Sequence, residues 1–171
     1  MPEPSTSRQP LELGEGVFID PTAIIQPSTR GSVIKIGAHT QIYNFVTIKA
    51  VGGAGDIEMG EHCYINPTCV IYSGNGVKLG NYVLLAAGVM LMPTNHDFSR
   101  RDTPIRHQGF ATSKGGITIE DDVWLGANSV VLDGTHIAKG AIIGAGSVVR
   151  GNVPAYEIWA GIPARKIGVR P

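Results

Sequence analysis

A period of six residues runs through most of this chain and constrains its fold more than any other feature. It reads Ile-Gly-Ala-His-Thr-Gln over 36–41 and Ile-Tyr-Asn-Phe-Val-Thr over 42–47. The same pattern continues with units opening at Met59, Ile65, Ile71, Leu79, Leu85 and Leu91. It resumes at Ile119, Leu125, Val131, Ile137, Ile143 and Val149, and two weaker units open at Ile19 and Ile25. Each unit opens with an aliphatic residue or Met. Its fifth residue is small or β-branched, as in Val46, Cys63, Cys69, Val83, Ser129 and Ala141. An amphipathic helix repeats every ~3.6 residues and a half-buried strand every two, so six fits neither. It fits short strands joined by sharp turns, with three six-residue sides closing one triangular turn of a coiled parallel sheet. The opening aliphatic then points inward and the fifth residue packs at a crowded corner. About 16 units give five to six coils, a prism about 25–30 Å tall at the ~4.8 Å spacing of paired strands. A β-sandwich would show turn signals about every 8–12 residues, a spacing this chain lacks. The expected fold class is all-β, a parallel β-helix. Handedness does not follow from the period, since right-handed crossover is only the general rule.

Two breaks interrupt the period. Ala50–Asp56 is a short Gly-rich excursion. Residues 99–116, SRRDTPIRHQGFATSKGG, form a polar insertion holding Arg100, Arg101, Arg106 and Lys114. A long insertion in a repeat protein maps to a loop on one face, often the binding face. The expected organisation is a polar N-terminal extension over 1–16, the β-helix over 17–154 with its loop at 99–116, and a C-terminal tail over 155–171 packed on the last coils. Lys and Arg total 14, as do Asp and Glu, for a formal net charge of zero. That balance gives no basic patch for nucleic acid and no polybasic run for a membrane surface. The start, MPEPSTSRQP, does not read as a signal peptide, and no apolar run approaches the ~18 residues of a membrane span. A cytoplasmic protein is the expectation.

The chemistry on offer is narrow. There is no Gly-x-Ser-x-Gly elbow and no phosphate-cradling glycine loop. Cys63 and Cys69 fall at fifth positions, where a thiol is a small hydrophobe. Two cysteines are too few for a disulfide scaffold or zinc cage. Five histidines are present, His39, His62, His96, His107 and His136. His62 and His96 fall in adjacent coils without an evident third partner, so no metal site is expected. His96 differs by position. It closes the last unit before the long loop, in Pro93-Thr94-Asn95-His96-Asp97-Phe98, and should face solvent there. An imidazole can take and return a proton near neutral pH.

Several motifs together resemble the hexapeptide-repeat acyltransferases: the hexads, Asn95-His96-Asp97-Phe98 before a long loop, the run Ile119–Ala127 and the ending Trp159-Ala160-Gly161-Ile162-Pro163-Ala164-Arg165. The resemblance covers roughly residues 17–168 and is nearest to sugar O-acetyltransferases of the galactoside, maltose and polysaccharide-biosynthesis type. It implies a left-handed parallel β-helix, a homotrimer with sites between subunits, and acetyl-CoA as acyl donor. It places His96 on the general base and Asn66 on an acceptor contact. Ala127 and Ala145 fall on backbone contacts to the pantetheine arm, Arg150 and Gly151 on further coenzyme contacts, and Arg165 near the nucleotide end. Two departures stand out. The helical N-terminal segment of the galactoside and maltose enzymes is missing from this sequence, and Gly168 stands where a basic residue is expected, with Lys166 or Arg170 as replacements. Acetylation of an amino sugar nitrogen and a non-catalytic β-helix scaffold are the alternatives left open by the residues.

Overall fold

Ile42, Ile65, Leu85, Leu125 and Ile143 lie one above another in register, each fully buried, and stacks of this kind build the molecule. The structure is a computed structural model and describes residues 9–171. Its strands fall into three sheets of seven, eight and six strands that form the faces of a prism. The first face stacks Leu11–Leu13, Ile34–Ile36, Ile57–Met59, Val77–Leu79, Ile117–Ile119, Thr135–Ile137 and Asn152–Val153. The second runs from Phe18–Ile19 through Tyr64–Ile65, Trp124–Leu125 and Ile142–Ile143 to the C-terminus. The third runs from Ile24–Gln26 through Val70–Tyr72 and Met90–Met92 to Val148–Val149. Successive coils pair in parallel, so each coil satisfies the strand edges of the next. Full burial of each Ile or Leu is worth about 1.5–3 kcal/mol, and the hexad supplies three such residues per coil.

The corners explain the rest of the hexad. At Gly37 an added Cβ would stand 2.4 Å from the Gly60 oxygen, and at Gly60 it would stand 2.5 Å from the Gly80 oxygen. Successive coils approach too closely at that position for any side chain. Farther round the same corner His39, His62, Tyr82 and Asp122 take φ between 56° and 58°. Recurrent left-handed residues turn the chain at each coil. Their side chains stack in turn, His39 on His62 at 5.0 Å and His62 on Tyr82 at 5.1 Å between ring centroids.

Both ends differ from the sequence expectation. Within the expected extension over 1–16, Leu11–Leu13 is already a strand paired with Ile34–Ile36. Leu-Glu-Leu aligns with Ile-Lys-Ile, and Leu13 opens one more unit, whose Gly14 and Gly16 turn the chain as Gly37 and His39 do in the next coil. Residues 1–8 of that extension lie outside the described residues. The expected tail over 155–171 is a β-hairpin. Glu157–Gly161 adds in parallel to Ile142–Ile143, and Ala164–Val169 folds back antiparallel on it. Ile158 and Trp159 continue the alternation of the second face, so the sheet extends where the hexad ends. The loop leaves the coil after Met92 and returns at Ile117, carrying one helical turn at Ile105–Gln108. Among the described residues no helix is long and apolar enough to cross a membrane.

Cys63 and Cys69 are unpaired and fully buried. Burial pushes the Cys69 thiol up to about 11 and raises that of Cys63. A thiolate is the reactive form. A disulfide reagent at pH 8 should therefore leave both untouched in the native protein, at a rate about 10²-fold below that in denaturant. Rapid native labelling of either would contradict the packing.

Candidate functional site

His96 sits where the third face ends. Pro93 breaks the strand because it has no N–H to donate. The chain beyond it, Asn95–Asp97, meets the returning loop as a short antiparallel pair. Asp97 N donates to Gly109 O at 3.1 Å, Ala111 N donates to Asn95 O at 2.9 Å, and His96 lies opposite Phe110. The rings of His96 and Phe110 are 5.1 Å apart. His96 Nδ1 is 3.2 Å from the Gly109 carbonyl oxygen. A carbonyl can only accept, so Nδ1 carries the proton and Nε2 is left as the acceptor of the neutral ring. Asp97 takes no part in this: its carboxylate accepts the Ser99 N–H at 2.9 Å, and that bond holds it below the usual carboxylate range. The His96 tautomer is thus set by backbone rather than by a carboxylate partner.

A cavity of about 300 Å³ opens beside the imidazole, lined by Val51, Gly52, Tyr72, Met92, Pro93, Thr94, His96 and Phe110. Apart from the histidine, the lining carries no ionisable group but the Tyr72 phenol. A larger concavity of about 470 Å³ lies on the first face, away from His96, among Lys35, Glu58, Lys78, Glu120, Asp121 and Lys139. Its charges compensate one another down the ladder, Lys35 with Glu12 at 3.9 Å and Lys78 with Glu58 at 3.7 Å.

The remaining predicted residues fall on two corners. Asn66, Ala127 and Ala145 follow strands of the second face and stack at the corner leading to the third. Asn66 is half-buried and its Nδ2 donates to Leu85 O at 2.8 Å, so its amide is fixed by the next coil. Arg150 and Gly151 follow a strand of the third face, at the same corner column as His96. Arg165 is exposed on the terminal hairpin, its Nη1 donating to Ala164 O at 2.8 Å. Of the two replacements for the basic residue missing at Gly168, Lys166 pairs with Glu157, and Arg170 pairs with Asp122 at 2.7 Å. Both cations are engaged within the chain. The expectation had missed Gly109 and Phe110. Phe110 had a signal, being one of two large apolar side chains in the polar loop. Gly109 had none, because its role is played by a carbonyl. No group of His, Cys, Asp or Glu among the described residues is placed to hold a metal ion.

Residues 116–151 match the bacterial transferase hexapeptide family (six repeats). That stretch is a run of hexapeptide-transferase repeats. Galactoside O-acetyltransferase of Escherichia coli K12 is 33% identical over 118 residues, covering 66% of this chain and 53% of that protein. The chain spans about half the length of the curated relatives it matches. AntD, an N-acyltransferase from Bacillus cereus solved with dTDP and 3-hydroxybutyryl-CoA, superposes with a TM-score of 0.77 at 24% identity over 92% of this chain and 82% of that one. A hexapeptide-repeat acetyltransferase of Vibrio cholerae complexed with acetyl coenzyme A gives 0.59 at 26% identity, over 94% and 71%. The family's fold, and this chain's, is the left-handed parallel β-helix.

Proposed function

We propose that this protein transfers an acetyl group from acetyl-CoA directly to a sugar hydroxyl, with His96 as general base. The observation that carries the reading is the His96 imidazole, fixed by the Gly109 carbonyl as the tautomer with a basic Nε2, beside a cavity without a carboxylate. A hydroxyl arrives neutral and needs only such a base. An amine arrives as ammonium and would need a neighbouring negative charge to be bound and deprotonated. At the corner carrying Asn66 the adjacent coils place Tyr43 and Ala86 level with it, and the carboxylate of that column, Asp20, lies two coils away and accepts from the Thr22 N–H and hydroxyl. Nε2 takes the hydroxyl proton as the oxygen attacks the thioester carbon. The tetrahedral intermediate then collapses, and the proton passes to the departing sulfur. Backbone N–H groups at the coil edge supply the oxyanion donors, the kind of stabilisation acyl transfer requires. The acetyl-CoA complex of the Vibrio cholerae relative supports the donor. Ala127 and Ala145 would receive the pantetheine arm, with Arg150, Gly151 and Arg165 as further contacts. Nucleotide sugars, glycolipid-linked sugars and polysaccharide precursors are the acceptor classes.

A homotrimer belongs to the same reading. The outward residues of the first face alternate in charge, Glu12, Lys35, Glu58, Lys78. Those of the third face are mainly apolar, with Ile24, Thr47, Val70, Met90, Val130 and Val148 in one column. The adjoining second face is mainly apolar outside as well, with Phe18, Tyr64, Leu84, Trp124 and Ile142, and contiguous apolar surface of this kind marks interfaces. The test of function is chemical. With acetyl-CoA and a panel of hydroxy and amino sugars, the product should be an ester that alkali and hydroxylamine cleave. An alkali-stable amide would transfer the reading to nitrogen. No thiol release with any sugar, and no thermal shift with acetyl-CoA, would favour a scaffold.

A further inference from the structure

The loop that sets the His96 tautomer is not held by a core of its own. None of the residues of its helical turn is buried, and Ile105 and Phe110 are 55% and 56% exposed. Its ion pair, Arg100 with Asp102, and the Gln108 bonds to Arg100 and Thr103 stay inside the loop. At its return the root is tied to the coil by the Gly134 N–H, which donates to Gly116 O at 2.7 Å, and the side chain that reaches both the return and the neighbourhood of the departure is one carboxylate. Asp133, in the coil above, accepts the Lys114 N–H at 2.8 Å, the Gly116 N–H at 2.9 Å and the Asn75 side-chain amide at 3.0 Å. Asn75 in turn donates its backbone N–H to Pro93 O at 3.2 Å, where the loop departs. Departure and return are thereby bracketed by a single half-buried side chain. The bracket is tight at its closing point: Gly116 has φ +80° and an added Cβ would stand 2.5 Å from Gly76 O.

We propose that Asp133 is a positioning residue for His96. By fixing both ends of the loop it sets the height at which Gly109 passes the imidazole, and so keeps the proton on Nδ1. Its catalytic consequence rests on the reading of His96 as base; its effect on the tautomer does not. In Asp133→Asn the shape is kept, but one acceptor oxygen becomes an NH₂ facing N–H donors. Bonds to a charged acceptor are the stronger kind, so the root should loosen.

The experiment is ¹⁵N NMR of histidine-labelled full-length protein at alkaline pH, where imidazoles are neutral. Native His96 should show Nδ1–H. In Asp133→Asn it should shift toward a mixture with Nε2–H, while His136, bonded to Glu120 on another face, stays unchanged. Trypsin cleavage after Arg100, Arg101, Arg106 and Lys114 should quicken about tenfold. The exchange Asn75→Asp with Asp133→Asn, which rebuilds the pair in reverse, should restore part of both readouts. An Asp133→Asn protein with lowered melting temperature but an unchanged His96 tautomer would overturn the inference, since the carboxylate would then be merely structural. If that variant does not fold, Asn75→Ala, which removes only the outbound tie, is read in the same way. A tautomer that depends on Asp133 in a protein without acetyl transfer would refute the function and leave the inference standing.

Discussion

His96→Ala should lower turnover by about 10²–10⁴-fold, the usual worth of a positioned general base, and should barely change the melting temperature. The side chain is exposed. Its loss removes one hydrogen bond to Gly109 and one ring contact with Phe110. Surface changes of that kind usually cost within about 0.5 kcal/mol, one or two degrees for a chain of this size. His96→Gln sharpens the test. Its amide can still donate to the Gly109 carbonyl but has no nitrogen able to take a proton. If the imidazole acts as base, glutamine should be as inactive as alanine while holding the loop better against trypsin. If its role were only to hold the loop, glutamine should restore turnover. Near-native turnover in either variant would remove His96 from the mechanism.

The hexad made the coil legible because a single constraint recurs in it: an inward aliphatic every six residues, with a small residue at the corner. Ile42, Ile65, Leu85 and Leu125 obey it, and all are fully buried. The two ends differ. Leu13–Phe18 is a regular unit whose corner glycines Gly14 and Gly16 follow the next coil, whereas Glu157–Gly161 is followed by a hairpin instead of a corner, so there the alternation runs on without the repeat. His96 was legible through its place before the loop. The groups that shape its chemistry were not. Gly109 acts through a carbonyl that every residue possesses, and Asp133 reaches Lys114 and Gly116 from the next coil, nineteen and seventeen positions away in sequence. A backbone oxygen and a contact across coils leave no signature in local spacing. The engagement of Lys166 and Arg170 with Glu157 and Asp122 was hidden likewise, because the hairpin that brings them together lies beyond the last hexad.

Mixing two inactive chains should recover activity. His96 lies at the corner between the third and first faces, and Asn66 at the corner between the second and third. The full width of the third face separates them, and side chains stand roughly perpendicular to their own sheet. One chain therefore cannot aim both at a single sugar. Turning the apolar third face toward a threefold axis changes this. The two corners that flank it then each meet a neighbour, and His96 of every subunit faces the Asn66 corner of the next. The same arrangement gathers Ala127 and Ala145 from one chain opposite Arg150 and Gly151 from the other. Closed heterologous rings of this kind join two different surfaces of identical chains. In an equal mixture of His96→Ala and Asn66→Ala chains, a site is intact when its histidine comes from one variant and its asparagine from the other. Random assortment makes about one quarter of sites intact in such a ring. Each variant refolded alone should stay near its own low activity. The mixture should rise toward a quarter of the native value, and mass spectrometry of intact trimers would establish that mixing occurred. Mixed trimers without recovered turnover would mean that both residues act from the same chain, and the third face would then have to lie away from the axis.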